Sequence, residues 1–315
     1  MDPTSQPYDI PPSRLQSRVH PLGEERIKAE AEKYFEENWN FDSEKKMRGF
    51  FSIGMSKAYS LFFPLTLDDR VDMTNRMLHL SLLSDDKLEK MSLEEMTSYG
   101  NRLIQIAEGT AEPDNSIPDE RVTHETLQLM RATDQKLTDD VAEAFIILVR
   151  KQIGAERLRI EHLGPYLEYR EEDVGRSFFC ALLRFGAAIH LSPEELQIVE
   201  GIERNAFRHV GIMNDIYSWN REFRVHQQEQ SEGSLPFSAV HVLSMETKLS
   251  YPACKRLLYT YCRELELAHE DMVREIRDKS KMSQRLEQYI KGIEYFMRGV
   301  EIWSQWTPRY NFVAE

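Results

Sequence analysis

The chain has 315 residues and carries 40 Lys and Arg against 53 Asp and Glu, a formal net charge of −13. With 41% apolar and 30% charged residues it is globular in composition, too apolar for a disordered chain and long enough to bury a core without staples. The negative charge, with no run of basic residues, argues against a nucleic-acid partner, and no apolar window of about 18 residues is available to span a membrane.

Five prolines crowd the first 21 residues, which reads as a flexible or extended arm followed by one domain over 22–315. This N-terminus lacks an apolar core of the kind a secretory signal needs. The remaining prolines leave free stretches at 65–112, 119–164, 194–235 and 253–307. Proline costs roughly 3 kcal/mol inside a helix, so these stretches leave room for long helices. Strand signals are scarce, and an all-α bundle of ten or more helices is the expected fold.

In chain order, 76–92 is a densely apolar helical run closed by Asp85, Asp86 and Glu89. The segment Pro113–Pro118 reads as a loop. Asp139-Asp140 is expected to open a helix whose apolar positions over 141–153 recur at steps of three and four. The segment 176–190 is apolar nearly all round, as in a helix buried within a bundle. Ser192-Pro193-Glu194-Glu195 has the form of a capped helix start, and Ser231–Pro236 reads as a second loop. Cys180, Cys254 and Cys262 lack metal or redox spacing and read as reduced apolar fillers in a cytoplasmic protein. The nine histidines show no paired spacing and read as structural or surface groups.

Two constellations carry chemistry. Asp85-Asp86 stands at the end of its helix, where carboxylates oppose the dipole, and Asp85 and Glu89 share a face. A divalent cation is one way to compensate them. In the second, Asn214, Ser218 and Glu222 stand at i, i+4 and i+8 and form one polar stripe of hard oxygen ligands suited to Mg²⁺. Arg221 lies close to the same stripe, where it could meet a phosphate. Lys87, two residues from Asp85, should point about 200° away from it and reads as a surface charge.

Together these motifs resemble the class I terpenoid cyclases, specifically the fungal sesquiterpene cyclases of the aristolochene synthase type. The matching elements are Asp85-Asp86-Lys87-Leu88-Glu89, the complete Asn214-to-Glu222 motif, Arg170 lying 44 residues before Asn214, and Arg309-Tyr310 near the C-terminus. The resemblance implies a helical bundle around a central cavity, three Mg²⁺ ions and a diphosphate substrate, most often farnesyl diphosphate. It implies that Asp85 binds two metals, with Asp86 and Glu89 behind it, and that Asn214, Ser218 and Glu222 chelate the third. It assigns Arg170, Arg221, Arg309 and Tyr310 to the diphosphate, which would itself take the final proton. Related enzymes are often dimers or larger, which leaves a homo-oligomer open.

The chain departs from that pattern at four positions, one of them Lys87, which stands where the family usually has an apolar residue. Arg221 replaces an expected lysine, keeping the charge as a planar fork. Leu82 and Leu148 stand where the family places cavity phenylalanines, whereas the cavity tryptophan is kept as Trp303. Phe62, Phe63 and Phe178 are further wall candidates, with core packing the alternative, and favoured, role for each. Each lost ring face removes cation–π stabilisation of ~1–2 kcal/mol. The expected product is therefore not mainly aristolochene but a germacrene-type hydrocarbon or an early-quenched alcohol. Rival readings are a prenyl-chain elongating enzyme, which would normally show a second aspartate-rich motif, and an all-α prenyl-diphosphate binder or scaffold without activity.

Overall fold

The computed structural model describes residues 10–229, 237–279 and 282–311, and helices fill most of the described parts of the proline-free stretches. Thirteen α-helices occur among these residues, and no strand does. In order they are α1 Glu24–Asn38, α2 Glu44–Ser52, α3 Met55–Phe62, α4 Val71–Leu88, α5 Leu93–Glu108, α6 Pro118–Thr133 and α7 Gln135–Gln152. They continue as α8 Leu163–Asp173, α9 Arg176–Gly186, α10 Pro193–Glu229, α11 Ala239–Thr247, α12 Tyr251–Lys279 and α13 Gln284–Trp306. The expected loop at 231–236 lies outside the described residues.

Local chemistry sets the helix boundaries. Ser192 and Glu195 exchange reciprocal hydrogen bonds at the start of α10, a capping box. Asp139-Asp140 does not open α7, as its position before the apolar run had suggested. That helix begins a turn earlier, where the Asp134 carboxylate caps the Leu137 amide at 3.2 Å. The apolar segment from 176 ends at Gly186, sooner than its composition implied, and Ala188 then turns with φ 53°.

With 37 residues, α10 is about 55 Å long at 1.5 Å per residue, and α8, α11, α12 and α13 pack against it. Buried apolar side chains from α1 through α13 form one continuous cluster. Residues 10–21, read as part of a flexible or extended arm, form no helix or strand and are hydrogen-bonded to the bundle at several points. Arg263 donates to the Pro11 carbonyl at 2.7 Å, the Arg14 amide donates to Glu266 at 2.8 Å, and buried His20 bonds the Thr66 carbonyl at 2.8 Å. Residues 1–9 of that arm lie outside the described residues.

Helix α13 meets α3 at Gly299, where a Cβ would sit 2.8 Å from the Leu61 carbonyl oxygen and 2.9 Å from the Phe62 ring. Backbone cannot yield there as a side-chain tip could. Gly299→Ala should therefore lower unfolding free energy by about 1–3 kcal/mol, read by thermal or urea denaturation. A parental melting temperature would show that the two helices are free to separate.

Candidate active site

Four helix segments converge on one cavity of about 230 Å³. The end of α4 contributes Leu82 and Asp85, and the residue that follows it contributes Glu89; α8 contributes Arg170; α10 contributes Asn214, Ser218, Arg221 and Glu222; and the end of α13 with the turn after it contributes Trp303, Arg309 and Tyr310. The Arg309 turn is fastened from behind, because Thr307 Oγ1 donates to the Ile53 carbonyl at 3.0 Å and accepts from the Arg309 amide at 3.3 Å.

The acidic turn faces two arginines. Asp86 accepts from Arg309 at 2.7 and 3.2 Å and from Arg221 at 3.0 Å. Glu89 accepts both terminal nitrogens of Arg221, at 2.6 and 2.8 Å. Asp85 is the least engaged, with Arg309 at 3.6 Å and its side chain 47% exposed to the cavity. Carboxylate oxygens of Asp85, Asp86 and Glu89 lie within 4.8 Å of one another. Burial raises Asp86, but Arg309 and Arg221 outweigh it and hold its carboxyl below the ordinary range. Burial, then the nearby Glu89, pushes Asp85 up to about 6.

Across the cavity, Arg170 Nη2 donates to Asn214 Oδ1 at 2.8 Å, and Asn214 Nδ2 donates to the Tyr310 hydroxyl at 2.9 Å. Gly211, three residues before Asn214, gives Arg170 its space, since a Cβ would stand 3.0 Å from Arg170 Cγ. Buried Ser218 Oγ has no partner but the neighbouring Glu222 carboxyl, which it helps to hold down, while burial followed by Asp215 pushes that carboxyl up to about 7. A hydroxyl whose lone pairs are unused, an amide oxygen with a second lone pair and carboxylates short of positive charge suit a hard divalent cation.

Two residues without an expected role hold this arrangement. Asp215, fully buried, accepts from Arg170 Nη2 at 3.0 Å, from the Ala239 amide at 2.8 Å and from the Tyr166 hydroxyl. Asp173 pairs with the other terminal nitrogen of Arg170. Asp215 sits inside the Asn214 motif, and its place next to a ligand-type residue was the available signal; Asp173 was signalled only by its i+3 spacing from Arg170. Lys255 of α12 is also buried and lowered to about 8 by desolvation, with Glu222 partly offsetting the shift; nothing in its local sequence marks it.

Among the expected wall residues, Phe62, Leu82, Leu148 and Trp303 line the cavity. Phe178 does not. It is fully buried against Phe145, with ring centroids 5.7 Å apart, and the next residue, Phe179, takes the wall position because one helical step rotates the side chain by about 100°. Phe63 likewise packs in the core, stacked on Tyr59 at 5.2 Å. His209 turns toward Glu266 of α12, 3.4 Å away, and takes no part in the cavity.

Residues 76–267 match the family model described as terpene synthase family 2, C-terminal metal binding. The chain is 40% identical over 311 residues to aristolochene synthase of Aspergillus terreus, covering 99% of this chain and 97% of that one. The crystal structure of aristolochene synthase from Penicillium roqueforti superposes with a TM-score of 0.82 at 38% identity, covering 95% of this chain and all of that one. The structure of α-eudesmol synthase shares the fold at a TM-score of 0.76 and 16% identity, covering 96% of this chain and 99% of that one.

Asp215→Ala would leave the Ala239 amide unpartnered and Tyr166 Oη with only the Phe237 carbonyl, 3.4 Å away, and would take from buried Arg170 one of its two counter-charges. The expected loss is about 3–5 kcal/mol in denaturant unfolding, with Asp215→Asn intermediate. An alanine variant as stable as the parent would contradict the anchoring role.

Proposed function

The chain belongs to the terpene synthase family, and from that premise we propose that its domain over 22–315 ionises farnesyl diphosphate with Mg²⁺ and cyclises the product cation to a germacrene-derived sesquiterpene. The observation that carries this reading is the meeting, on one partly apolar cavity, of two oxygen-ligand sets and three arginines. Asp85 on one side and Asn214, Ser218 and Glu222 on the other would hold the cations, three in number by resemblance. When bound, they supply the Lewis-acid charge that stabilises a leaving diphosphate.

The protein's own groups do the rest. Arg170, Arg221, Arg309 and Tyr310 provide donors for the diphosphate oxygens, and charge-assisted forks orient it. Cleavage of the allylic carbon–oxygen bond sends the bonding pair to the diphosphate and leaves a delocalised carbocation. Those donors stabilise the anion as it forms. Phe62, Phe179, Phe296 and Trp303 present apolar and aromatic surface that excludes water and faces positive charge.

The names of the relatives favour aristolochene. Leu82 and Leu148 weigh against it as the main product, because about 1.4 kcal/mol is a tenfold change between competing exits. We retain the reading that the main product leaves earlier, as a germacrene-type hydrocarbon or alcohol. No helix of the described residues is long and apolar enough to cross a membrane.

Purified protein given Mg²⁺ and, separately, C10, C15 and C20 prenyl diphosphates should release a cyclic C15 product from farnesyl diphosphate alone, identified by gas chromatography with mass spectrometry. No metal-dependent product from any of them would overturn the reading; aristolochene as the dominant product would overturn only the wall argument.

Protons should compete with cations at this site. Asp85 and Glu222 are raised to about 6 and about 7, above unfolded carboxyl values near 4. Their ionisation therefore destabilises the cation-free fold as pH rises toward 7, and bound cations recover that loss. The gain in melting temperature on adding Mg²⁺ and inorganic pyrophosphate should be larger at pH 8 than at pH 6. An equal gain at both would remove these carboxylates from the cation site.

A further inference from the structure

Lys87 interrupts the acidic turn of α4 and, read from sequence, is a surface charge. Its side chain instead lies half-buried on the rear of that turn and donates to Asp119, whose carboxylate is 1% exposed. Asp119 stands in the first turn of α6 and accepts a second hydrogen bond, 2.6 Å long, from the Tyr99 hydroxyl of α5. The same hydroxyl oxygen lies 3.1 Å from Ser84 Oγ, immediately before Asp85. The Lys87 ammonium also sits 4.7 Å from the ring centre of Trp39, the residue that ends α1.

This frame is itself braced. Arg102 of α5 meets Glu120, the neighbour of Asp119, through two hydrogen bonds of 2.8 Å. The turn it holds needs support. Asp85, Asp86 and Glu89 repel one another and oppose the dipole at a helix end, where terminal turns fray. Lys87 suits that end of the helix, and its charge is engaged from behind by Asp119, leaving the front of the turn to the cavity.

We propose that Lys87, through Asp119 and Tyr99, is a positioning residue that fixes the last turn of α4 and so sets how readily its carboxylates take up divalent cations. The inference rests on the metal role proposed above. Removing Lys87 leaves a buried carboxylate with a single donor, and the α4 end loses its charged tie to α6, keeping only the Ser84–Tyr99 contact to α5.

The test is the Mg²⁺ concentration giving half-maximal turnover of farnesyl diphosphate, measured for the parent, Lys87→Leu, Lys87→Arg and the double variant Lys87→Leu with Asp119→Asn. Lys87→Leu should need about fivefold more Mg²⁺, while saturating Mg²⁺ restores turnover. Lys87→Arg should recover most of the shift. The double variant, which removes the stranded charge, should regain thermal stability but keep the raised requirement, so a poorly folding single variant still leaves a readable one. A lower melting temperature with an unchanged Mg²⁺ requirement would make the pair merely structural and overturn the proposal. A parent enzyme that turns over without divalent cations would instead overturn the metal role.

Discussion

Everything around the cavity answers to one constraint, the concentration of like charge in a partly apolar space. Three carboxylates crowd the end of α4, and Glu222 faces them from α10. Charges withdrawn from water are tolerated when paired and hydrogen-bonded. Asp86 and Glu89 meet that condition through Arg221 and Arg309. Asp85, with Arg309 no nearer than 3.6 Å, and Glu222 meet it less fully, and both are raised above the ordinary carboxyl range. The arginines are thus committed to acids, although they are the donors an anionic substrate would need. An anion arriving with its own cations resolves both shortages, since cations can take the carboxylates while the guanidinium groups turn to the anion.

The scaffold makes that exchange local. Helices α8 and α9 are parted at Gly175, whose φ of 95° is costly for other residues. Arg170 and Asp173 lie just before this break, and Asp215 ties Arg170 to α10 and to the start of α11. A buried carboxylate with three donors is rigid, so Arg170 is held from behind, whereas Arg221 is held only by the acidic turn it faces and Asp85 keeps its side chain half exposed. The C-terminal turn is fixed in the same manner, with Trp303 Nε1 and Thr307 both bonded to the carbonyl of Ile53.

The helical architecture and the polar stripe of α10 were legible because both are periodic and local. Spacings of three and four survive in one dimension, as Asn214, Ser218 and Glu222 demonstrate. Pairings between helices do not. Nothing near Lys87 in sequence points to Asp119, thirty-two residues on, and nothing near Asp86 points to Arg309. The exchange of Phe178 for Phe179 has another origin. Adjacent aromatics on a helix nearly apolar all round give no pattern to orient it, so the wall position is decided only by how α9 packs against α13 and α10. The attachment of residues 10–21 is illegible in sequence for a similar reason: their proline content speaks of extension, but the contacts depend on Arg263, Glu266 and Glu270 of α12.

The cavity wall carries the argument about product furthest. Its aromatic members are Phe62 of α3, Phe179 of α9, Phe237 before α11, and Phe296, Trp303 and Tyr310 of α13 and the turn beyond. The α4 and α7 side offers Leu78, Leu82 and Leu148 instead, with Gln152 one turn past Leu148. Ring faces, each worth ~1–2 kcal/mol to a desolvated cation, are therefore available on one side only. Under the proposed chemistry, a cation forming near α3, α9 and α13 is stabilised, and one that migrates toward α4 and α7 is not. A cascade whose later cations lie on the aliphatic side would be slowed relative to proton loss from an earlier one, and the wall's asymmetry rather than its volume would decide where the sequence of cations stops.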